Sequence, residues 1–247
     1  MENLSPLISI ITINKNNLLG LKNTFESVLS QVKKNFEWIV IDGNSSDGSV
    51  EFLKENAHFI QELVIEEDKG IYDAQNKGIL KSKGTYLLFL NSGDILHSIE
   101  ITKKMEDANF KEDIIYGDIN MVSTIGIQER IYPSTIDFDF FSNEFLCHQA
   151  VFTRKNVFLK LDLFSLNYKF CSDQEFFYKV WKDKELKKIH FPCVIVDYDM
   201  NGLSSNPNSL KKLTKEIFKI RLKLFPVLWK FYFLFHSLRL KMNSLWK

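Results

Sequence analysis

Through the first hundred residues the apolar pattern switches repeatedly between short β-branched runs and helical spacing. A chain that does this with short connections builds βαβ units around a mostly parallel sheet. Leu7–Ile13 (LISIITI), Phe36–Ile41 (FEWIVI), Leu63–Ile65 and Tyr86–Leu90 (YLLFL) read as strands. Asn17–Val32, with Leu18, Leu21, Phe25, Val28 and Leu29 on one stripe, reads as a helix, as do Asp47–Ala57, capped by Ser46 or Asp47, and Ile71–Ser82. The continuous apolar run of the first strand implies cover on both faces.

In open α/β sheets, ligands sit beyond the carboxyl ends of the strands. The residues that follow the four strands are Asn14-Lys15-Asn16, Asp42 to Gly48, Asp68-Lys69-Gly70 and Asn91-Ser92-Gly93-Asp94. All are polar, and three of the four contain Asp. From about Asp113 the alternation is lost. Ile114–Gly117 and Ile119–Val122 read as two strands, and Asp113–Met200 is expected to complete the sheet and build the second wall of a cleft.

Charge is distributed unevenly. From Asn208 onward there are ten Lys and Arg against one acid, Glu216, whereas the preceding residues carry 22 basic and 30 acidic groups. An acidic body with a basic, aromatic tail suits an anionic surface, and a nucleic acid would be repelled by the body. Leu210, Leu213, Ile217, Ile220 and Leu224 form an apolar helical stripe, with lysines on the other faces. Pro226 should interrupt this helix, and Val227–Phe235 (VLWKFYFLF) follows. That run is about half of the roughly 20 residues a bilayer-spanning helix needs, so it is expected to lie in the membrane interface or to dock on the protein. The three cysteines, Cys147, Cys171 and Cys193, lack metal-ligand spacing and read as free core thiols in a reducing compartment. The opening segment has too short an apolar run for a signal peptide, so a cytosolic location is expected.

Several residues are candidates for chemistry. Asp42, in IDGNSSDGS, stands at a strand end, where it can accept from a base N–H or a ribose hydroxyl, or simply belong to a turn before the next helix. The chain has no G-x-G-x-x-G after its first strand and no phosphate-loop lysine, which disfavours nicotinamide and P-loop enzymes. Asp94, in FLNSGD, is suited to a hard cation such as Mg²⁺ or Mn²⁺, which takes one or two carboxylates and fills its shell with phosphate and water. Asp173, in SDQEFF, lies at a helix start, as a cap or as a general base. His148, in CHQAVF, is either a core histidine or a contact to metal or diphosphate. His58, His97 and His190 read as surface or structural.

Taken together, ISIITINKNNLLGLKNTFESVLSQ, IDGNSSDGS, DKGIYDAQNKGILKSKGTYLLFLNSGD, CHQAVF and SDQEFF resemble, in that order, the segments of the inverting glycosyltransferase family numbered two, with the GT-A fold. The resemblance runs over about residues 6 to 200. It implies a GT-A domain over 1–207, with a nucleotide-sugar half 1–98 and an acceptor half 99–207, followed by a membrane-associating tail, 208–247. It also implies site roles. Asp42 would bind base or ribose, and Asp68 would support that pocket. Thr12 and Asn14 would line it, Asp94 would hold Mn²⁺ or Mg²⁺, His148 would lie beside diphosphate or acceptor, and Asp173 would be the catalytic base.

The implied reaction moves a sugar from a nucleotide sugar, a UDP-sugar first, to a lipid-linked oligosaccharide in surface-polysaccharide assembly, with inversion. Residues 209–243 would hold the protein on the inner face of the cell membrane. Two departures stand out: the family's Asp-x-Asp is reduced to one carboxylate in Asn91–Asp94, and Gly43 replaces a second acid after Asp42. A nucleotidyltransferase, or a scaffold that keeps the fold without the chemistry, are the alternatives.

Overall fold

A computed structural model describes residues 5–201, 210–225 and 231. Every residue of β1 (Ile8–Asn14) is buried, as expected of a strand with helices on both faces. It pairs in parallel with β2 (Phe36–Asp42) on one side and β4 (Tyr86–Phe89) on the other, and β3 (Glu62–Ile65) extends the parallel half beyond β2. The helices of this half are α1 (Leu18–Leu29), α2 (Ser49–Glu55) and α3 (Ile71–Lys81). Trp38, Ile39, Leu53, Ile79 and Leu87 lie in the core that they close.

The second half of the sheet is mixed. β8 (Val151–Arg154) runs antiparallel to β4 and to β6 (Ile114–Ser123). β9 (Lys188–Asp199) runs parallel to β6, and the short β5 (Ile95–Leu96) closes that edge. The order is β3-β2-β1-β4-β8-β6-β9-β5, with β7 (Gly126–Arg130) as a hairpin partner of β6. The remaining helices are α4 (Ile101–Ala108), α5 (Phe138–Asn143), α6 (Lys155–Lys160), α7 (Ser172–Lys182) and α8 (Leu210–Leu224).

The α/β class read from the sequence holds, with differences at element ends. Asn17 caps α1, its side chain accepting from the Gly20 N–H at 3.1 Å. The N-cap of α2 is Gly48, at φ 95°, not Ser46 or Asp47. Asp47 instead sits one residue outside, where it accepts from the N–H of Ser49 and of Leu18 and so ties the starts of α1 and α2 together. The two strands read at 114–117 and 119–122 are one strand, β6, whose register against β9 shifts between Tyr116 and Asp118. The bulge breaks the period-2 pattern, so one irregular strand looks like two.

The stripe expected on α8 faces the protein. Ile220 is buried, Leu213, Ile217 and Leu224 are half-buried, and Lys211, Lys212, Lys215 and Lys219 are exposed. Pro226 and the run 227–235 lie outside the described residues, Phe231 excepted. No described helix is long and apolar enough to cross a membrane. The three cysteines are free thiols.

Candidate active site

Strand directions determine which residues meet. β1, β2, β3 and β4 are parallel, so Asn14, Asp42, Asp68 and Asp94 all emerge at one edge. β8 is antiparallel to β4, which brings His148, just before β8, to that same edge. β9 ends there too, at Asp199.

At the β1–β2 end, Asn14 and Asp42 are direct register partners. Asn14 Nδ2 donates to Asp42 Oδ2 at 2.6 Å. Asp42, fully buried, also accepts from the Ser45 N–H at 2.7 Å and the Ser45 hydroxyl at 2.9 Å. The carboxylate therefore organises the turn that follows β2. Asn44 holds that turn in the left-handed region, φ 62°, a conformation Asn tolerates. Asn14 Oδ1 is buried and has no hydrogen-bond partner among the described residues. Asp68 reaches the same turn: a Cβ on Gly43 would collide with its Oδ2, so the residue that departs from the family's paired acids makes room for this carboxylate. Thr12 is not at the edge. It is fully buried, and its hydroxyl accepts from the Trp38 indole N–H at 3.0 Å.

The other half of the site is a hydrogen-bonded chain. Asp94, buried in the turn after β4, accepts from the backbone N–H of Asp199 (3.0 Å) and Asn91 (3.2 Å) and from Gln149 Nε2 (3.1 Å). Thr24 of α1 holds that turn, donating to the Asp94 carbonyl at 2.8 Å. Burial pushes the Asp94 carboxyl up to about 6, against the lowering effect of the hydrogen bonds from Asp199 and Gln149, and the nearby Asp199 charge adds to the rise.

Asp173, in the first turn of α7, is not its cap, which is Cys171. Its carboxylate turns inward. Oδ1 accepts from the Tyr72 hydroxyl at 2.8 Å, and Oδ2 lies 3.1 Å from His148 Nδ1. His148 Nε2 is 3.1 Å from Gln75 Nε2, and Gln75 reaches Asn91 Oδ1 at 3.4 Å. Burial, together with the Asp173 charge and hydrogen bond, raises the Tyr72 phenol well above its ordinary range, so it stays a donor. Asp94, His148 and Asp173 thus stand in one network, linked through Gln75 and through Asn91, whose side chain meets Gln75 and whose N–H meets Asp94.

No sequence motif marks Tyr72, Gln75, Gln149 or Asp199 as site residues. Asp199 matters for a cation. With Asp94 it supplies two carboxyl groups, the number that Mg²⁺ or Mn²⁺ takes from a protein when substrate phosphates complete its shell. Among the described residues no group of three or more His, Cys, Asp or Glu is arranged to hold an ion by itself. Two carboxyl groups alone would need phosphate oxygens and water to complete a cation's shell.

Comparison with known proteins finds relatives by sequence and by fold. The profile of Glycosyl transferase family 2 matches residues 9–179. A PGL/p-HBAD biosynthesis glycosyltransferase of Mycobacterium bovis is 27% identical over 220 residues, covering 86% of this chain and 84% of its own. The fold is similar to that of S. aureus TarS 1-349 in complex with UDP-GlcNAc, with TM-score 0.67, 15% identity, and coverage of 89% of this chain and 67% of that one. It is also similar to the mannosyltransferase PcManGT from Pyrobaculum calidifontis in complex with GDP-Man and Mn²⁺, with TM-score 0.60, 13% identity, and coverage of 79% of this chain and 57% of that one. These likenesses identify the fold as GT-A.

Proposed function

This chain belongs to glycosyl transferase family 2, and from that premise we propose that it transfers a sugar from a nucleotide sugar, a UDP-sugar first, to a hydroxyl of a lipid-linked oligosaccharide, with inversion. The reading rests on one observation: Asp173, His148 and Asp94 share a network of hydrogen bonds, through Gln75 and Asn91, at the same sheet edge as Asn14, Asp42 and Asp68. UDP-GlcNAc in complex with TarS supports a UDP-sugar donor, and the PGL/p-HBAD biosynthesis for which the mycobacterial glycosyltransferase is named supports sugar transfer within a biosynthetic sequence.

In this reading the nucleoside lies over β1 and β2. Asn14 meets it with its unpartnered carbonyl oxygen, Asp42 fixes the Asn14 amide and the Ser45 turn, and Asp68 closes the pocket at the space left by Gly43. Thr12 acts from below, holding Trp38 in the sheet beneath. Asp94 and Asp199 would hold the divalent cation, Mn²⁺ or Mg²⁺, whose charge neutralises the departing diphosphate. The complex of PcManGT with GDP-Man and Mn²⁺ supports the use of a divalent cation.

Asp173 takes the proton of the acceptor hydroxyl. The acceptor oxygen forms its bond to the anomeric carbon on the face opposite the diphosphate. The bond to the phosphate oxygen breaks, and nucleoside diphosphate leaves with the electron pair. Tyr72 and His148 hold the Asp173 carboxylate in its orientation through both oxygens. The exposed lysines of α8, with the basic segment after it, support a position on the anionic inner face of the membrane, where a lipid-linked acceptor would be met.

Asp173→Asn tests the base. Turnover should fall by about 10²–10⁴-fold, the usual worth of a general base, while donor affinity measured by calorimetry is kept. Unchanged turnover, or a product with retained anomeric configuration, would overturn the reading.

A further inference from the structure

α8 is bound to α7 at points that flank Asp173. Glu216, in the middle of α8, accepts the backbone N–H groups of Lys169 (2.9 Å) and Phe170 (2.8 Å), one through each carboxylate oxygen. These residues lead directly into α7. Two residues beyond Asp173, the side chain of Glu175 is 2% exposed, and its Oε1 lies 2.8 Å from Lys223 Nζ of α8. A turn later the Tyr178 and Phe225 rings meet at 4.5 Å between centroids.

The first of these contacts has a particular physical character. The N–H groups of Lys169 and Phe170 lie near the surface, so water can replace Glu216 as their acceptor at little cost in stability. Water cannot replace the position that a bidentate carboxylate imposes on two consecutive amides. What Glu216 contributes is therefore mainly the path of the chain entering α7, and that path sets where Asp173 stands relative to Tyr72 and His148. Misplacement of a reacting group by about 1 Å can cost about 10²-fold in rate.

We propose that Glu216 is a positioning residue for the transfer reaction: through the amides of Lys169 and Phe170 it holds the start of α7 so that Asp173 stays against Tyr72 and His148, with the Lys223–Glu175 pair as the second point of attachment. The proposal rests on the reading of Asp173 as the base.

The test uses the full chain and two readouts. The first, independent of any substrate, is the NMR signal of the His148 ring, whose Nδ1 faces Asp173. The second is turnover of UDP-GlcNAc with Mn²⁺, measured as release of UDP. Glu216→Ala should shift or broaden the His148 signal and lower kcat by about tenfold with KM within about twofold, while the unfolding midpoint stays near the parent's. Glu216→Gln, which keeps one acceptor oxygen, should recover most of both.

If Glu216→Ala left the His148 signal as in the parent, the proposal would fail, whatever UDP-GlcNAc showed. A loss of kcat that merely tracked a loss of folded protein, unrestored by Gln, would overturn it as well. Asp173→Asn separates this from the premise: if that variant turned over normally while Glu216→Ala moved the His148 signal, the base assignment would fall and the clamp would stand.

Discussion

Asp94 shows how a single carboxyl can be costly to the empty protein and useful to the loaded one. It is buried, accepts three N–H donors, and has its carboxyl pushed from 3.8 to about 6. The sign of the linkage follows. The folded protein holds this proton more tightly than the unfolded chain, so the group costs nothing below about pH 4. As pH rises from about 4 to about 6 it increasingly destabilises the fold, by an amount that levels off at about 3 kcal/mol above that. Comparison with Asp94→Asn isolates the effect, because hydrogen bonds lost on substitution add only a pH-independent offset. From pH 4 to pH 7.5, in chelator, the stability difference by urea unfolding should move by about 2–3 kcal/mol in the variant's favour. Mn²⁺ with UDP at pH 7.5 should stabilise the parent and leave the variant unmoved. A difference flat across this range would mean that the carboxyl is not perturbed.

At the scale of elements, α3 joins core to site. Tyr72 and Gln75, in its first two turns, reach Asp173 and His148, and Gly78, further along, lies against Ile11 of β1. A Cβ at Gly78 would overlap the Ile11 side chain, which is fully buried. Gly78→Ala therefore gains about 1 kcal/mol of helix propensity but overpacks a core contact, at about 1–3 kcal/mol. The expected outcome is a net loss of up to about 2 kcal/mol by denaturant unfolding, with turnover lowered at saturating donor because α3 lifts Tyr72 from Asp173; a stabilised, fully active variant would contradict this. The parallel half was legible because its strands are buried on both faces and its helices carry clean stripes, so local period alone places Asp42, Asp68 and Asp94 at strand ends. Asp173 and His148 were legible only as candidates: nothing local distinguishes an inward-turned Asp173 from a helix cap. Asp199 was not legible at all. Its contact with Asp94 spans 105 residues and comes from the pairing of β9 with β5, and neither strand has a strong pattern. Tyr72, Gln75 and Gln149 look in sequence like ordinary helix and turn residues, and only the fold turns them toward Asp173, His148 and Asp94.

The molecule as a whole separates its charges, and the fold decides what the basic tail can do. Had α8 laid its apolar stripe in lipid, membrane binding would be an insertion, resistant to salt. Instead Ile220 and Phe225 are buried against the protein, and the residues that α8 presents outward are Lys211, Lys212, Lys215 and Lys219. Their spacing places them on one side of the helix, opposite Leu213, Ile217 and Leu224. Attraction by this face is therefore electrostatic, worth about 1 kcal/mol per lysine near an anionic surface, and it fades as the screening length shrinks to about 3 Å at 1 M salt. Full-length protein should co-sediment with vesicles containing phosphatidylglycerol and not with purely zwitterionic ones. Replacing Lys211, Lys215 and Lys219 together by Gln should weaken binding by about 10²-fold, with the unfolding midpoint unchanged because none of the three is buried. The salt response then tells which part of the tail carries the contact. If about 1 M salt releases the protein, the lysine face of α8 suffices; if binding survives both the salt and the triple substitution, the aromatic segment after Phe225 inserts into the bilayer and α8 serves only the active site.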